Sequence, residues 1–445
     1  MYDFDYFVIG AGSGGVRSAR IAAGHGARVG IAEERYLGGT CVNAGCIPKK
    51  LMVYASRVAD GLEEAPGFGW TLPEPTFRWE TFIVNKDKEI SRLTGVYRRL
   101  LEAAKVRIFE SHATLIDAHT IAIGDKRVSA EKILLATGSW PYLPNEPGVN
   151  EHAITSNEAM HLPKLPKRII IVGGGYIGVE LAGIFNGFGS KVTQLHRGEL
   201  LLHGFDNDVR QVLAEEMIKR GIDLRLKTAI TKIEKSSAGL IAHLDDQTTI
   251  ECDVVLYATG RKPHVEKLGL AAVGVMLTER GSIAIDAHCR TNVENIYALG
   301  DVTDRINLTP VAIAEGHALA DSLFGNKPRT VSLENVASAV FSDPPVATVG
   351  LTEETARGTY ADVAVFRSSF RPLKRVLGDR KDKTLMKLVV DSKTDRVLGI
   401  HMVGLDAPEI MQGFAVALNC GVTKAQIDAT IGIHPTSAEE FVLMS

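Results

Sequence analysis

A glycine pattern that opens at Gly10 and again at Gly173 leaves this 445-residue chain few architectures. In the first copy an apolar run over residues 5–9 leads into Gly10-x-Gly12-Ser13-Gly14-Gly15. A helical pattern then continues through Val16, Ala19 and Ala23, and a strand over Val29–Ala32 ends at Glu33. In the second copy Arg168–Val172 leads into Gly173-x-Gly175-Tyr176-Ile177-Gly178. A helix follows from Val179 through Glu180 and Leu181, and then a strand over Lys191–Leu195. Strand, Gly-x-Gly-x-x-Gly, helix and strand in that order form a dinucleotide-binding unit. The glycines permit a tight turn and bring backbone N–H groups at a helix N-terminus close to a pyrophosphate. The pattern predicts an α/β chain with two Rossmann-like domains, and two nucleotide sites on one chain imply two cofactors that exchange electrons.

The copies differ 23 residues past their first glycine, where the first has Glu33 and the second His196, followed by Arg197. A carboxylate there suits a free ribose 2′-hydroxyl and a cation suits a 2′-phosphate, so the second site points to NADPH. Two apolar strands close on Thr137-Gly138 and on Thr259-Gly260-Arg261, and read as exits from the two units. Asn295 to Gly300 and Asp301 is a further buried strand ending in an acid, and Leu308-Thr309-Pro310 opens a helix running to Leu323. From about Asn335 the glycine fingerprints cease. Strands are expected at Ala347–Val349, Leu385–Val390 and Val397–Met402, with helices over 407–419 and 424–429, an α+β module suited to assembly.

Between the first unit and the rest lies Gly38-Gly39-Thr40-Cys41-Val-Asn-Ala-Gly-Cys46-Ile-Pro-Lys49-Lys50, with a helical pattern behind it. A helix N-terminus and two lysines favour thiolate over thiol, and a thiolate beside a second thiol can attack a disulfide and be resolved by its neighbour. Cys-x4-Cys alone also fits half a zinc site or two inert buried cysteines, but no second Cys/His pair follows at ligand spacing. Five scattered cysteines are not a secreted disulfide framework, and Asp3, Phe4 and Asp5 lead directly into a strand rather than a signal peptide. No apolar stretch reaches the roughly 20 residues of a membrane span. A net charge of -3 gives no electrostatic reason to bind nucleic acid or a membrane. A cytoplasmic protein is expected. A relay from NADPH through a flavin to a dithiol also needs a proton donor for the leaving thiol. His434 is the candidate, with Glu439 to orient it; a histidine before proline that merely caps a loop is the structural alternative.

The dithiol segment and His434-Pro-Thr-Ser-Ala-Glu439-Glu440 together resemble the pyridine nucleotide-disulfide oxidoreductases, and specifically the glutathione reductases, over essentially the whole chain. The resemblance implies an FAD-containing homodimer that uses NADPH to reduce oxidised glutathione and so maintains thiol redox balance, with an active site shared between chains and no metal. It implies an FAD domain over residues 1–140, an NADPH domain over 141–262, a return to the central FAD fold over 263–334 and an interface domain over 335–445. Cys41 would attack the substrate disulfide and Cys46 would face the flavin. Lys49 and Glu180 would pair near the flavin, and Tyr176 would gate the nicotinamide pocket. FAD would lie against Gly10, Gly12, Ser13, Gly14, Gly15, Glu33, Gly39, Thr40, Thr137, Gly138, Gly300, Asp301, Leu308, Thr309 and Pro310. NADPH would lie against Gly173, Gly175, Tyr176, Ile177, Gly178, His196, Arg197, His203, Gly260 and Arg261. Ser13, Arg17, Arg20, Lys50, Tyr97 and His317 would meet the substrate. Arg17 stands where trypanothione reductases place a carboxylate, and a cation favours the anionic glutathione disulfide.

Three positions depart from the pattern. His317 replaces an arginine expected at the substrate carboxylate, and His203 replaces one expected at the 2′-phosphate. Gly178 stands where NADPH users often have alanine. These leave open a reductase of a modified glutathione or another small disulfide, with some tolerance of NADH. A dihydrolipoamide dehydrogenase would want an acid in place of His196-Arg197, and a mercuric reductase a cysteine pair beyond Cys420.

Overall fold

A computed structural model describes residues 1–444, whose contacts divide into two compact units. The first comprises Met1–Lys49, Thr81–Tyr142 and Gly260–Leu333. Its main sheet runs Arg107–Phe109, Val29–Ala32, Phe4–Ile9, Lys126–Leu135, Thr120–Ile123 and Ala113–Leu115, with Ile296–Ala298 also paired to Lys126–Leu135. The strands on either side of Phe4–Ile9 are parallel to it, with Val8 opposite Ile31 and Leu134. Helices cover such a sheet, so its central strands are apolar on both faces rather than alternating. Phe7 and Ile9 enter one core cluster, and Tyr6 and Val8 the other.

The helices Ser13–Gly24 and Thr309–Phe324 pack on the Tyr6 and Val8 face. They approach through glycine, since a Cβ at Gly316 would stand 2.5 Å from the Gly14 carbonyl oxygen. This contact brings the start of the helix that opens with Thr309 to the fingerprint loop. The helix Cys46–Glu64 begins in the first unit and continues in the second.

The second unit comprises Lys50–Glu80, Leu143–Thr259 and the chain from Glu334 onward. A parallel sheet runs Asp223–Leu226, Lys191–His196, Arg168–Val172, Val254–Tyr257 and Ala153–Ile154. The antiparallel strands Ile230–Ser236, Gly239–Leu244 and Thr249–Cys252 form a separate sheet. The helix after the second fingerprint starts at Tyr176, three residues before the sequence pattern suggests. Its N-cap is Gly175, as Gly12 is for the first copy. The C-terminal module holds five strands rather than three: Ser338–Val340 and Val363–Phe370 flank those expected. Ser338–Val340 is three residues long, and Val363–Phe370 is an edge strand ending Arg-Ser-Ser-Phe, too polar for a clear alternating signal.

Candidate active site

The dithiol loop is built against the first fingerprint. Gly38 and Gly39 take left-handed backbone angles, φ +92° and +61°, and the Gly38 N–H donates to the Ala11 carbonyl at 2.9 Å. A Cβ at Gly39 would stand 2.7 Å from the Gly12 Cα, so only glycine lets the two loops touch. Glu33 braces the same loop by accepting from the Ala11 N–H at 2.8 Å. Cys41 rides on the short helix Gly39–Asn43, which Asn43 locks by donating to the Leu37 and Gly39 carbonyls. Asn43 escaped the sequence reading, as no spacing rule marks an amide that holds a nucleophile's backbone.

Cys46 is the first residue of the helix Cys46–Glu64, and its Sγ lies 3.5 Å from the Thr309 hydroxyl. The helix N-terminus therefore acts on Cys46 and not equally on both sulfurs. Cys41 is pushed far up from the ordinary thiol range, first by its hydrogen bond with Cys46 and then by burial. The helix N-terminus places Cys46 in the position that favours a thiolate.

The fingerprints suit the groups implied for them. At Gly10 and Gly15 an added Cβ would meet the Ala136 and Gly10 carbonyl oxygens at 2.4 and 2.0 Å, so these glycines serve the chain's own packing. At Gly12 it would meet nothing within 4 Å, which leaves room for a ligand, and the neighbouring Ser13 hydroxyl reaches the Cys41 thiol. The second fingerprint repeats this. Gly173 and Gly178 would clash at 2.3 and 2.5 Å, and Gly175 faces open space. The clash at Gly178 gives its lack of a side chain a local packing reason.

Asp301 accepts from the Ser139 hydroxyl at 2.7 Å, and Arg261 holds Ser139 through its hydroxyl and its carbonyl. Arg261 thus lies in the first unit beside Asp301, among groups the sequence reading assigned to FAD rather than NADPH. The Thr137 hydroxyl is committed to the His264 carbonyl at 2.6 Å. Gly138, Gly260 and Gly300 all take left-handed angles at their turns. Leu308 caps the helix that Thr309 and Pro310 open.

Around the dithiol the first unit gathers Ser13, Arg17, Arg20 and Tyr97. Burial raises the Tyr97 phenol, followed by the Cys41 charge, while Arg17 and Arg20 oppose the shift. His317 lies 3.6 Å from Asp321, which also binds His25 at 2.8 Å and Arg329 at 3.0 Å. Burial holds His317 below the usual imidazole value, and Arg329, Arg17 and His25 outweigh part of the pull from Asp321. His317 is therefore neutral at pH 7, and the anion-binding charge here rests on Arg17 and Arg20.

The second unit carries Lys50, Tyr176, Ile177, Glu180, His196, Arg197, His203, His434 and Glu439. Lys50 Nζ sits 3.6 Å from the Phe341 ring centre. Tyr176 is exposed, whereas Glu180 is 3% exposed and accepts from the Phe341 N–H at 2.8 Å. The His196 ring fills the space beside Gly174 and Gly198, where a Cβ would approach it to 2.6 Å. Burial, then the charges of Arg197 and Arg210, hold His196 below the usual imidazole value. This corrects its reading as a cation; Arg197, the residue after the strand, and His203 are both exposed. His434 Nδ1 lies 3.1 Å from both Glu439 oxygens, and Glu439 is fixed by the Thr436 N–H at 3.1 Å. His434 is 83% exposed, so Nε2 is open to a reacting group.

Among the described residues no group of three or more His, Cys, Asp or Glu is arranged to hold a metal, and no helix is long and apolar enough to cross a membrane. The chain belongs to the pyridine nucleotide-disulphide oxidoreductases, whose model matches residues 4–316 and whose dimerisation-domain model matches 336–445. It is 52% identical to a glutathione reductase of Burkholderia cepacia over 443 residues, covering 100% of this chain and 98% of that one. It is 49% identical to a glutathione reductase of Nostoc sp. over 457 residues, 100% of this chain and 99% of that one. A trypanothione reductase of Trypanosoma congolense is 40% identical over 469 residues, 99% of this chain and 95% of that one. Among solved structures, the HOCl-induced flavoprotein disulfide reductase RclA from Escherichia coli superposes with a TM-score of 0.89 at 28% identity, covering 99% of each chain.

Proposed function

We infer that this chain is a glutathione-disulfide reductase, a homodimeric FAD protein that takes electrons from NADPH and returns two glutathione molecules for each oxidised one. The carrying observation is the Cys41–Cys46 pair set against the first dinucleotide loop through the Gly39–Gly12 contact. The full-length likeness to glutathione reductases supports the choice of substrate. Bound FAD supplies the two electrons that open the Cys41–Cys46 disulfide, and Gly12, Ser13, Glu33, Asp301 and Thr309 are the residues proposed to hold it.

The protein's own part then follows from thiol chemistry. Cys41, once deprotonated, attacks one sulfur of the substrate disulfide and forms a mixed disulfide. His434, oriented by Glu439 through Nδ1, delivers a proton from Nε2 to the departing thiolate. Cys46 then attacks Cys41, expelling the second glutathione and closing the protein disulfide. We assign His434 and Glu439 to the partner chain's active site, Arg17 and Arg20 to the substrate carboxylates, and Arg197 to the 2′-phosphate. The proposed compartment is the cytoplasm.

Initial rates of NADPH and NADH oxidation with oxidised glutathione, glutathione-amide disulfide and oxidised trypanothione test this reading. Fast turnover with glutathione disulfide and NADPH is expected. Because His317 is neutral, a preference for the uncharged amide is the alternative to be measured, and it would overturn the substrate assignment. Flavin reduction with no disulfide turned over would overturn the activity.

A further inference from the structure

The loop that follows the strand Lys191–His196 carries both side chains assigned to the 2′-phosphate, Arg197 at its start and His203 at its end. Between and including them Arg197 is the only arginine or lysine, so a single permanent cation stands where two arginines are expected. The one acid of the loop, Glu199, is paired with Lys227 at 2.8 Å. With so little charge, affinity for a 2′-phosphate depends on how firmly the loop backbone holds Arg197 and His203 in place before the nucleotide arrives.

The loop takes its shape from segments outside it. The Gly198 carbonyl accepts from the Lys227 N–H at 3.1 Å, and the Leu202 N–H donates to the Gly174 carbonyl of the second fingerprint at 2.7 Å. Between those two ties stands Arg210. Its Nε donates to the Leu201 carbonyl at 2.6 Å and its Nη2 to the Leu200 carbonyl at 3.1 Å, while Nη1 donates to the Asn207 side chain at 2.8 Å. A planar guanidinium holds two successive carbonyls in one fixed geometry, which the single nitrogen of an ammonium cannot do. Arg210 lies on the helix Asn207–Lys219, whose N-cap is Asp206. Asp206 is fully buried and accepts from Lys387 Nζ at 2.8 Å and from the Glu353 N–H at 3.0 Å. The base of the clamp is therefore pinned to the C-terminal module, within the same compact unit.

We propose, on the strength of the NADPH reading above, that Arg210 is a positioning residue for nucleotide selectivity. It holds the backbone at Leu200 and Leu201 so that Arg197 and His203 meet a 2′-phosphate together, and its own donors stay on the protein. Calorimetric titration of the oxidised flavoprotein with adenosine 2′,5′-bisphosphate and with AMP, which differ only by the 2′-phosphate, tests this. Arg210→Met keeps an unbranched side chain and removes every donor; Arg210→Lys also keeps the charge but loses the fork. Both are expected to weaken binding of the bisphosphate about five- to tenfold, with AMP affinity held within about twofold. In turnover KM for NADPH should rise about as much, with KM for NADH within about twofold. An unchanged flavin spectrum and melting temperature certify the fold, and Arg210→Lys alone decides if Arg210→Met fails to accumulate. Parental affinity in Arg210→Lys would show that charge acts rather than the fork, and overturns the proposal. Equal loss of both ligands, or loss of neither, overturns it as well. A parent that binds the two ligands equally would instead overturn the NADPH reading, and the clamp with it.

Discussion

Replacing Arg197 by alanine is expected to raise KM for NADPH about 10- to 30-fold while KM for NADH stays within about twofold. The magnitude follows from the geometry at the end of the strand Lys191–His196. A hydrogen bond to a charged group contributes about 1.5–3 kcal/mol, and each 1.36 kcal/mol is tenfold. Arg197 is exposed, which places its contribution in the lower half of that range. His196 is different. Its ring is packed beside Gly174 and Gly198, and burial with the nearby Arg197 and Arg210 depresses its pKa. A depressed imidazole pKa means the proton is already lost at pH 7 and returns only below the ordinary value of about 6.5. Hence His196→Gln should change the NADPH-to-NADH ratio of kcat/KM by less than about threefold at pH 7–8, and any contribution from His196 should emerge only as pH falls below about 6. Initial rates with both nucleotides across pH 6–8.5 measure all of this. Collapse of NADPH preference in His196→Gln at pH 8, with Arg197→Ala indifferent, would refute the reasoning.

Cys41→Ser is expected to abolish disulfide reduction while NADPH still bleaches the flavin in a stopped-flow trace; loss of both steps would sink the assigned roles. Cys46→Ser removes the largest cause of the upward shift at Cys41, so iodoacetamide should alkylate Cys41 of the reduced variant at lower pH than in the reduced parent. An unmoved alkylation profile would deny the shared proton. His434→Ala should lower kcat about 10²- to 10⁴-fold with flavin reduction by NADPH intact, the range for loss of a general acid. Glu439→Gln should fall short of that and shift the pH profile. Arg375→Met should destabilise the fold by about 3–5 kcal/mol in denaturant titration. Arg375 is 2% exposed and bonds Glu64, Asp60 and Asp382; Arg220 and Arg380 still pair with the two aspartates, but Glu64 would be left as a buried acid without its cation. A loss under about 1 kcal/mol would show that the cluster carries no net stability.

Much of this was legible before any coordinates. The strands Val29–Ala32, Arg168–Val172 and Val254–Tyr257 and the helix Ala407–Asn419 fall where apolar period and glycine punctuation put them. Such runs are buried on fixed faces, and burial leaves a period in the sequence. The edge strand Val363–Phe370 was not legible, because an edge demands little of its outward residues. The link from Arg261 through Ser139 to Asp301 joins three distant segments, and no local pattern encodes such a meeting.

By itself the sequence determined the two nucleotide folds and pointed to the dithiol and His434 as candidates, because glycine geometry and thiol chemistry each demand particular residues at short spacing. Only the tertiary structure decided which groups carry charge. His196 reads as a cation beside Arg197 until burial and neighbouring arginines are counted, and spacing alone does not say which of Cys41 and Cys46 holds its proton more tightly. Protonation depends on desolvation and on every charge within a few ångströms, and those neighbours are set by the packing of distant segments rather than by spacing along the chain.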